Sequence, residues 1–190
     1  QEFVLSGGIA RGVVVKGGAT ETVEAGGVAS GTVVSSGGIE IFLQGGTASG
    51  VVVSSGGHVQ LPVLASSYGV WSAGQANTIE GVTVDPGAVV SLTVVSGGSI
   101  SGFAVVSGSV LFVSSGGAVA GTLISGGGQE FVYNGAIASG TTIKNAASEQ
   151  IFAGGVASGA VVSSGGSEDV FSGGTAWDAV VSSGGDELVY

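Results

Sequence analysis

The chain has no cysteine, no methionine, one histidine, two prolines and only three basic residues among 190. The lack of cysteine excludes disulfides and thiolate metal sites. One histidine leaves almost no material for nucleophilic or metal catalysis, and no cofactor is expected. Three cations make nucleic acid a poor partner, because binding it means neutralising a row of phosphates. Charged residues make up 8% of the chain, against about 25% in ordinary globular domains. Thirteen of them are acidic, giving a formal net charge of −10. Unbroken apolar runs are short, far below the ~18–20 residues of a membrane helix. No membrane span is expected in this chain, and no signal-peptide pattern opens it.

Glycine is abundant, at 40 residues, a share well above the usual ~7%. Hydrophobic residues reach 44% and valine dominates them. That much apolar surface argues against disorder. Collagen is excluded because glycine does not recur at every third place.

An internal repeat organises the chain. ASGTVVSSGG at 29–38, ASGVVVSSGG at 48–57 and ASGAVVSSGG at 157–166 are near copies. The central glycines of this motif and its weaker copies are Gly12, Gly31, Gly50, Gly81, Gly102, Gly121, Gly140 and Gly159, with Asp178 in the last place. Their spacings are 19, 19, 31, 21, 19, 19, 19 and 19. Each unit holds short β-type runs of Val and Ile, which favour a pleated, half-buried surface. Gly-Gly pairs separate them and supply positive φ at tight corners. Such short runs gain stability only by stacking on the same run one repeat later. The fold expected is all-β: a right-handed parallel β-solenoid of about nine to ten coils of 19 residues. It forms one domain over 1–190, with an irregular or inserted segment at about 58–80.

Residues 19 apart should stack in columns. Val15, Val34, Val53, Ile143, Val162 and Val181 form a β-branched column expected to face inward. Val4, Val23, Phe42, Val132, Ile151, Val170 and Val189 form a second, and Ala10, Ala29, Ala48, Ala138, Ala157 and Ala176 a third. The neighbouring Val14, Val33, Val52, Thr142, Val161 and Val180 should point outward by strand alternation. They form either a lateral contact stripe or a sign that a bend breaks the alternation. Seven carboxylates share one further column: Glu2, Glu21, Glu40, Glu130, Glu149, Glu168 and Glu187. They are read either as a solvated stripe or as a weak cation-binding or acid-responsive ladder. Each glutamate lies two residues before an inward valine, so strict alternation would bury it. Burial of unpaired carboxylates is costly, and a corner is therefore expected between the glutamate and the valine. Stacked like charges should raise their pKa values and make the fold more stable as pH falls.

The stretch after Gly57 breaks the period and holds His58, Pro62, Tyr68 and Trp71. Insertions in solenoids often leave as binding loops. His58, Tyr68 and Trp71 on a 58–75 loop are candidates for gripping a glycan or a host receptor. The alternative is a decayed coil whose aromatics plug the core.

Catalytic signatures are missing. There is no G-x-S-x-G elbow and no phosphate loop of the G-x-x-x-x-G-K-[ST] type. The glutamate column could supply the carboxylate pair of a glycosidase, but seven equivalent residues look like a repeat feature. No enzyme activity is expected.

GGVASGTVVSSGG at 26–38, GGTASGVVVSSGG at 45–57 and GGVASGAVVSSGG at 154–166 resemble the AIDA-type repeat of bacterial autotransporter adhesins. Weaker copies cover nearly all of the chain except about 58–110. The resemblance implies a right-handed β-helical passenger at the cell surface of a Gram-negative bacterium, or extracellular. It implies self-association, adhesion or biofilm formation, and O-glycosylation of repeat serines such as Ser30, Ser35, Ser36, Ser49 and Ser158.

Gln1-Glu2-Phe3-Val4-Leu5 and Asp186-Glu187-Leu188-Val189-Tyr190 occupy the same repeat phase without polar caps. Uncapped coils expose strand edges that template pairing. These residues are candidates for homotypic end-to-end contact, or else the rod continues within a longer fibrous chain. The function expected is a structural, non-enzymatic protein that self-associates into adhesive or filamentous material. The alternative is a surface module that presents the 58–75 loop to a glycan or host receptor.

Overall fold

The computed structural model describes residues 1–63 and 76–190 in full and the backbone of residues 66–68. All regular structure among them is β-strand. The chain divides into two compact units, Gln1–Pro62 with Ser72–Ser91, and Val63–Trp71 with Leu92–Tyr190.

In each unit the strands stack in parallel at the 19-residue repeat, three to a coil. In the first unit a coil runs Thr20–Val23, then Val28–Ser30, then Val33–Val34. The next repeats it as Ile39–Phe42, Thr47–Ser49 and Val51–Val53. Register is kept residue for residue: Glu21 pairs with Glu40, Ala29 with Ala48, and Val34 with Val53. The second unit does the same. Gln129–Val132, Ile137–Ser139 and Thr142–Ile143 stack on Ser148–Ile151, Val156–Ser158 and Val161–Val162. The chain is a parallel β-solenoid in both units.

The corners explain the glycines. After Thr20–Val23 the Gly27 amide bonds the Glu24 carbonyl at 2.8 Å, closing a tight turn. Gly26 holds φ +77° in that turn, a conformation that costs a Cβ-bearing residue about 1–2 kcal/mol. Gly27 is required for another reason: a Cβ there would sit on the Val4 carbonyl oxygen of the coil below. The corner within Ala-Ser-Gly uses one left-handed residue, Gly31, at φ +66°. In the last copy Asp178 takes that place at φ +54°, a region aspartate tolerates better than most residues.

Inside, the three predicted columns fill the coils. Val15, Val34, Val53, Ile143 and Val162 are buried, as are Val4, Val23, Phe42, Val132, Ile151 and Val170. Ala10, Ala29, Ala138 and Ala157 form the close-approach column, while Ala48 and Ala176 are half-buried. In the last coil Val181 and Val189 are exposed. The valine stripe beside the first column is settled by alternation: Val14, Val33, Val161 and Val180 point to solvent.

The expected corner between glutamate and valine is not there. Thr20, Glu21, Thr22 and Val23 lie on one straight strand and alternate between half-buried and buried. The glutamate therefore faces inward with the valine. The expectation failed because it counted the carboxyl as charged, whereas a neutral carboxyl is far cheaper to bury.

The irregular segment also differs from a free loop at its start. His58–Val63 is a strand whose His58, Val59 and Gln60 pair with Ile39, Glu40 and Ile41. Its departure from the 19-residue period is partly absorbed by an antiparallel hairpin in the first unit. Asn77–Ile79 folds back on Val82–Val84, through Glu80 and Gly81 at φ +48° and +80°. Two consecutive positive φ values are the signature of a tight hairpin turn.

Candidate functional site

The interior carboxyls are the most unusual chemistry in the chain. Glu21 and Glu40 in the first unit, and Glu130, Glu149 and Glu168 in the second, are wholly shut off from solvent at 0% exposure. Glu2 and Glu187 end their columns and are exposed. Register pairs Glu2 with Glu21 and Glu21 with Glu40. It pairs Glu130 with Glu149, Glu149 with Glu168, and Glu168 with Glu187. Parallel neighbours in a sheet lie ~4.8 Å apart. The Thr141 hydroxyl donates to Glu149 Oε1 at 3.2 Å. Both carboxyl oxygens of Glu21, Glu40, Glu130 and Glu168, and Oε2 of Glu149, meet no hydrogen-bond donor.

Burial pushes Glu40, Glu130, Glu149 and Glu168 upward. Glu40 is raised to about 9, first by desolvation, then by the stacked Glu21 and by the charge of Glu2. Glu130 is raised to about 8 by desolvation, which outweighs the lowering influence of Thr122 and Glu149 beside it. Glu149 stands well above the usual range, through desolvation and then the charges of Glu130 and Glu168. Glu168 reaches about 7 through desolvation and the charge of Glu187.

Among the described residues no three acidic, histidine or cysteine side chains gather in a metal-holding group.

The outer surface of the second unit carries a feature that sequence reasoning missed. Tyr133, Phe152, Phe171 and Tyr190 stack ring on ring with centroids 5.1, 5.0 and 5.2 Å apart and planes within 11°. Phe112 and Phe131 stack beside them at 5.3 Å. The signal was in plain view, since Tyr133, Phe152, Phe171 and Tyr190 recur at 19-residue spacing. Because the faces cover one another, the ladder presents a ridge of ring edges. A shallow hollow of about 180 Å³ on the same unit is floored by Ala118–Ala120 and rimmed by Ser99, Ser101 and Ser139.

Of the predicted loop residues, His58 is described in full and Tyr68 by its backbone alone. His58 sits half-buried in its strand, and its Nε2 lies 2.9 Å from Ser91 Oγ; burial lowers its pKa. Tyr68 ends the short strand Ser66–Tyr68, which pairs with Ser99–Ser101 in the second unit. Trp71 lies outside the described residues. At the outermost strands Phe3, Leu5, Leu188, Val189 and Tyr190 are exposed, while Val4 is buried.

Residues 2–57 match the family described as "Adhesin of bacterial autotransporter system, probable stalk". This stretch is similar to the AIDA-type adhesin stalk. The AIDA match covers three coils of the first unit, from Glu2 to the Gly-Gly pair that ends at Gly57. No curated protein matches the chain. Among solved structures, a TibC-catalysed, hyper-glycosylated TibA fragment is 25% identical with a TM-score of 0.47, aligned over 99% of this chain and 84% of that one.

Proposed function

We propose that the chain is a non-enzymatic structural segment of a bacterial surface adhesin, and that it associates laterally with other copies of itself. The observation that carries this reading is the outward apolar surface of each unit. In the first unit Ile9, Val14 and Leu43 are about half exposed; in the second Ile137, Val161 and Val180 are exposed, as is Tyr133 of the aromatic ladder. Repetition turns single residues into continuous stripes, and contiguous exposed apolar surface marks interaction sites. The AIDA-type adhesin-stalk match over 2–57 supports a cell-surface or extracellular setting. Few charges interrupt the stripes, so desolvating them costs little.

Electron microscopy and sedimentation over a range of concentrations test the reading. The expected outcome is bundles that grow with concentration. They should be lost when Val14, Val33, Val161 and Val180 are replaced together by lysine. Single particles at every concentration would rule out self-association and leave a passive stalk.

A further inference from the structure

The glutamate columns call for an explanation that the adhesive reading does not supply. Each column is built by exact repetition of register, so carboxyl lies on carboxyl along the axis. A carboxylate only accepts hydrogen bonds, whereas a carboxylic acid also donates one. Two stacked carboxylates therefore cannot satisfy each other, and nine carboxyl oxygens of the five buried residues are orphaned on that assumption. With the protons in place, each acid donates to an oxygen of the next, and the same oxygens become partners.

The groups that face the columns offer no other remedy. Against Glu40 stand Glu21 and Glu2. Against Glu130 stand Thr122 and Glu149, and against Glu149 stand Thr141, Glu130 and Glu168. Glu168 faces Glu149 and Glu187. All are acids or hydroxyls. The chain's cations are elsewhere: Arg11 and Lys16 are exposed, and Lys144 follows inward Ile143 and so takes an outward position.

We infer that Glu40 in the first unit and Glu130, Glu149 and Glu168 in the second are neutral carboxylic acids, hydrogen-bonded to their stacked neighbours along the solenoid axis, which lock the coils together only while they hold their protons. The raised pKa values of Glu40, Glu130 and Glu149 agree with the protons being held at neutral pH. Folding then becomes a proton-uptake reaction. In the unfolded chain these groups titrate near 4.5, so a chain folding at pH 7 must bind protons that it lacks when unfolded. The solenoid is thereby built to close in acidic to neutral surroundings and to loosen in alkaline ones.

The test is carbon NMR of the full chain with its glutamate side chains labelled. At pH 7 a set of carboxyl carbons should show the shift of a neutral acid and should titrate only on the alkaline side. Assignment comes from the variant Glu130→Gln/Glu149→Gln/Glu168→Gln, in which the signals of Glu130 and Glu149 vanish together with that of Glu168, which titrates near 7. Glutamine keeps the shape and a donor, so this variant should fold and should lose most of the pH dependence of the melting temperature. Carboxylate shifts for every glutamate at pH 7 would overturn the inference. So would a melting temperature that rises on titrating calcium into chelator-treated protein, since that requires ionised columns holding cations. If the triple variant fails to fold, the spectrum of the native chain still decides. Release of unfolded protein into unbuffered solution at pH 7 gives an independent reading, because refolding should raise the pH.

Discussion

In each unit the inward slot that holds glutamate is filled in two ways. In the first unit it holds Glu21 and Glu40 and also Val59 and Val90; in the second it holds Glu130, Glu149 and Glu168 and also Leu111. All eight are buried, and the alternation along the strand is the same, as Thr20–Val23 and Val110–Val113 show. Register places Val59 beside Glu40 and Leu111 beside Glu130. The backbone therefore does not need glutamate at this position. An aliphatic side chain closes the wall equally well, with no polar atom to satisfy. The difference teaches that the glutamates add a dependence on protons to a scaffold that stands without them.

The widest separation between the two kinds of coil should come from pH alone. Glu40, Glu130, Glu149 and Glu168 titrate higher when folded than when unfolded. The folded chain then binds more protons than the unfolded chain between about pH 4.5 and 9. Stability from these groups is complete below the lower value and declines as pH rises through the folded values. Raising a pKa by one corresponds to about 1.4 kcal/mol. The loss should be on the order of a few kcal/mol at each of Glu40, Glu130 and Glu149, and smaller at Glu168, where solvent around its exposed neighbour Glu187 screens the charge. Urea unfolding from pH 5 to pH 9 should show the midpoint falling steadily. A midpoint that rises over that interval would contradict the ladders.

This outcome bears on what is legible in the sequence. Period, corners and inward columns can all be read, because Val34 over Val53 or Ala138 over Ala157 follows from spacing and size. The outward valine stripe follows from alternation once Val15 is placed inside. Sequence reasoning misplaces Glu21, although Thr-Glu-Thr-Val at 20–23 carries the same alternation. It sets the rule against burying charge above the rule of alternation, and a proton removes the conflict between them. The aromatic ladder escapes for a different reason. Its rings at Tyr133 and Phe152 fall just beyond the strands, next to the glycine corners, where strand alternation gives no facing and the column is not looked for.

Extending the glutamate column into an aliphatic coil should have the next largest effect. Leu111→Glu puts a carboxyl beside Glu130 and removes a wholly buried leucine. The cost should be about 3–5 kcal/mol at pH 8.5, combining lost packing with burial of an acid. At pH 5 the new side chain enters as a neutral acid able to bond its neighbour, and the cost should shrink to roughly the packing loss of ~2–3 kcal/mol. Equal costs at the two pH values would mean that protonation has no part in the column.

The reverse exchange should be milder. Glu149→Leu makes a glutamate coil resemble the coil of Leu111. Replacing a buried ionisable group by an apolar one of similar size is often stabilising by about 1–4 kcal/mol. Here the Thr141 hydroxyl loses its acceptor, which takes back ~1 kcal/mol. A net gain of up to about 3 kcal/mol is expected at pH 8.5 and little change at pH 5, read from urea midpoints.

The smallest effect should be independent of pH, which makes it the control for the others. At 144–147 Lys-Asn-Ala-Ala replaces the usual Ser-Ser-Gly-Gly corner, and Asn145 and Ala146 are held at φ +55° and +60°. Alanine in that region costs about 1–2 kcal/mol, whereas glycine adopts it freely but loses more entropy on folding, ~0.5–1 kcal/mol. Ala146→Gly should therefore stabilise by about 0.5–1 kcal/mol. The Ala146 amide keeps its bond to the Gly165 carbonyl at 3.0 Å in either case. The corner lies outside the wall that carries Glu130 and Glu149, so the gain should be the same at pH 5 and pH 8.5. A gain that grew with pH would mean that strain at this corner and protonation of the columns are coupled, and the two glutamate variants would then have to be read with that coupling included.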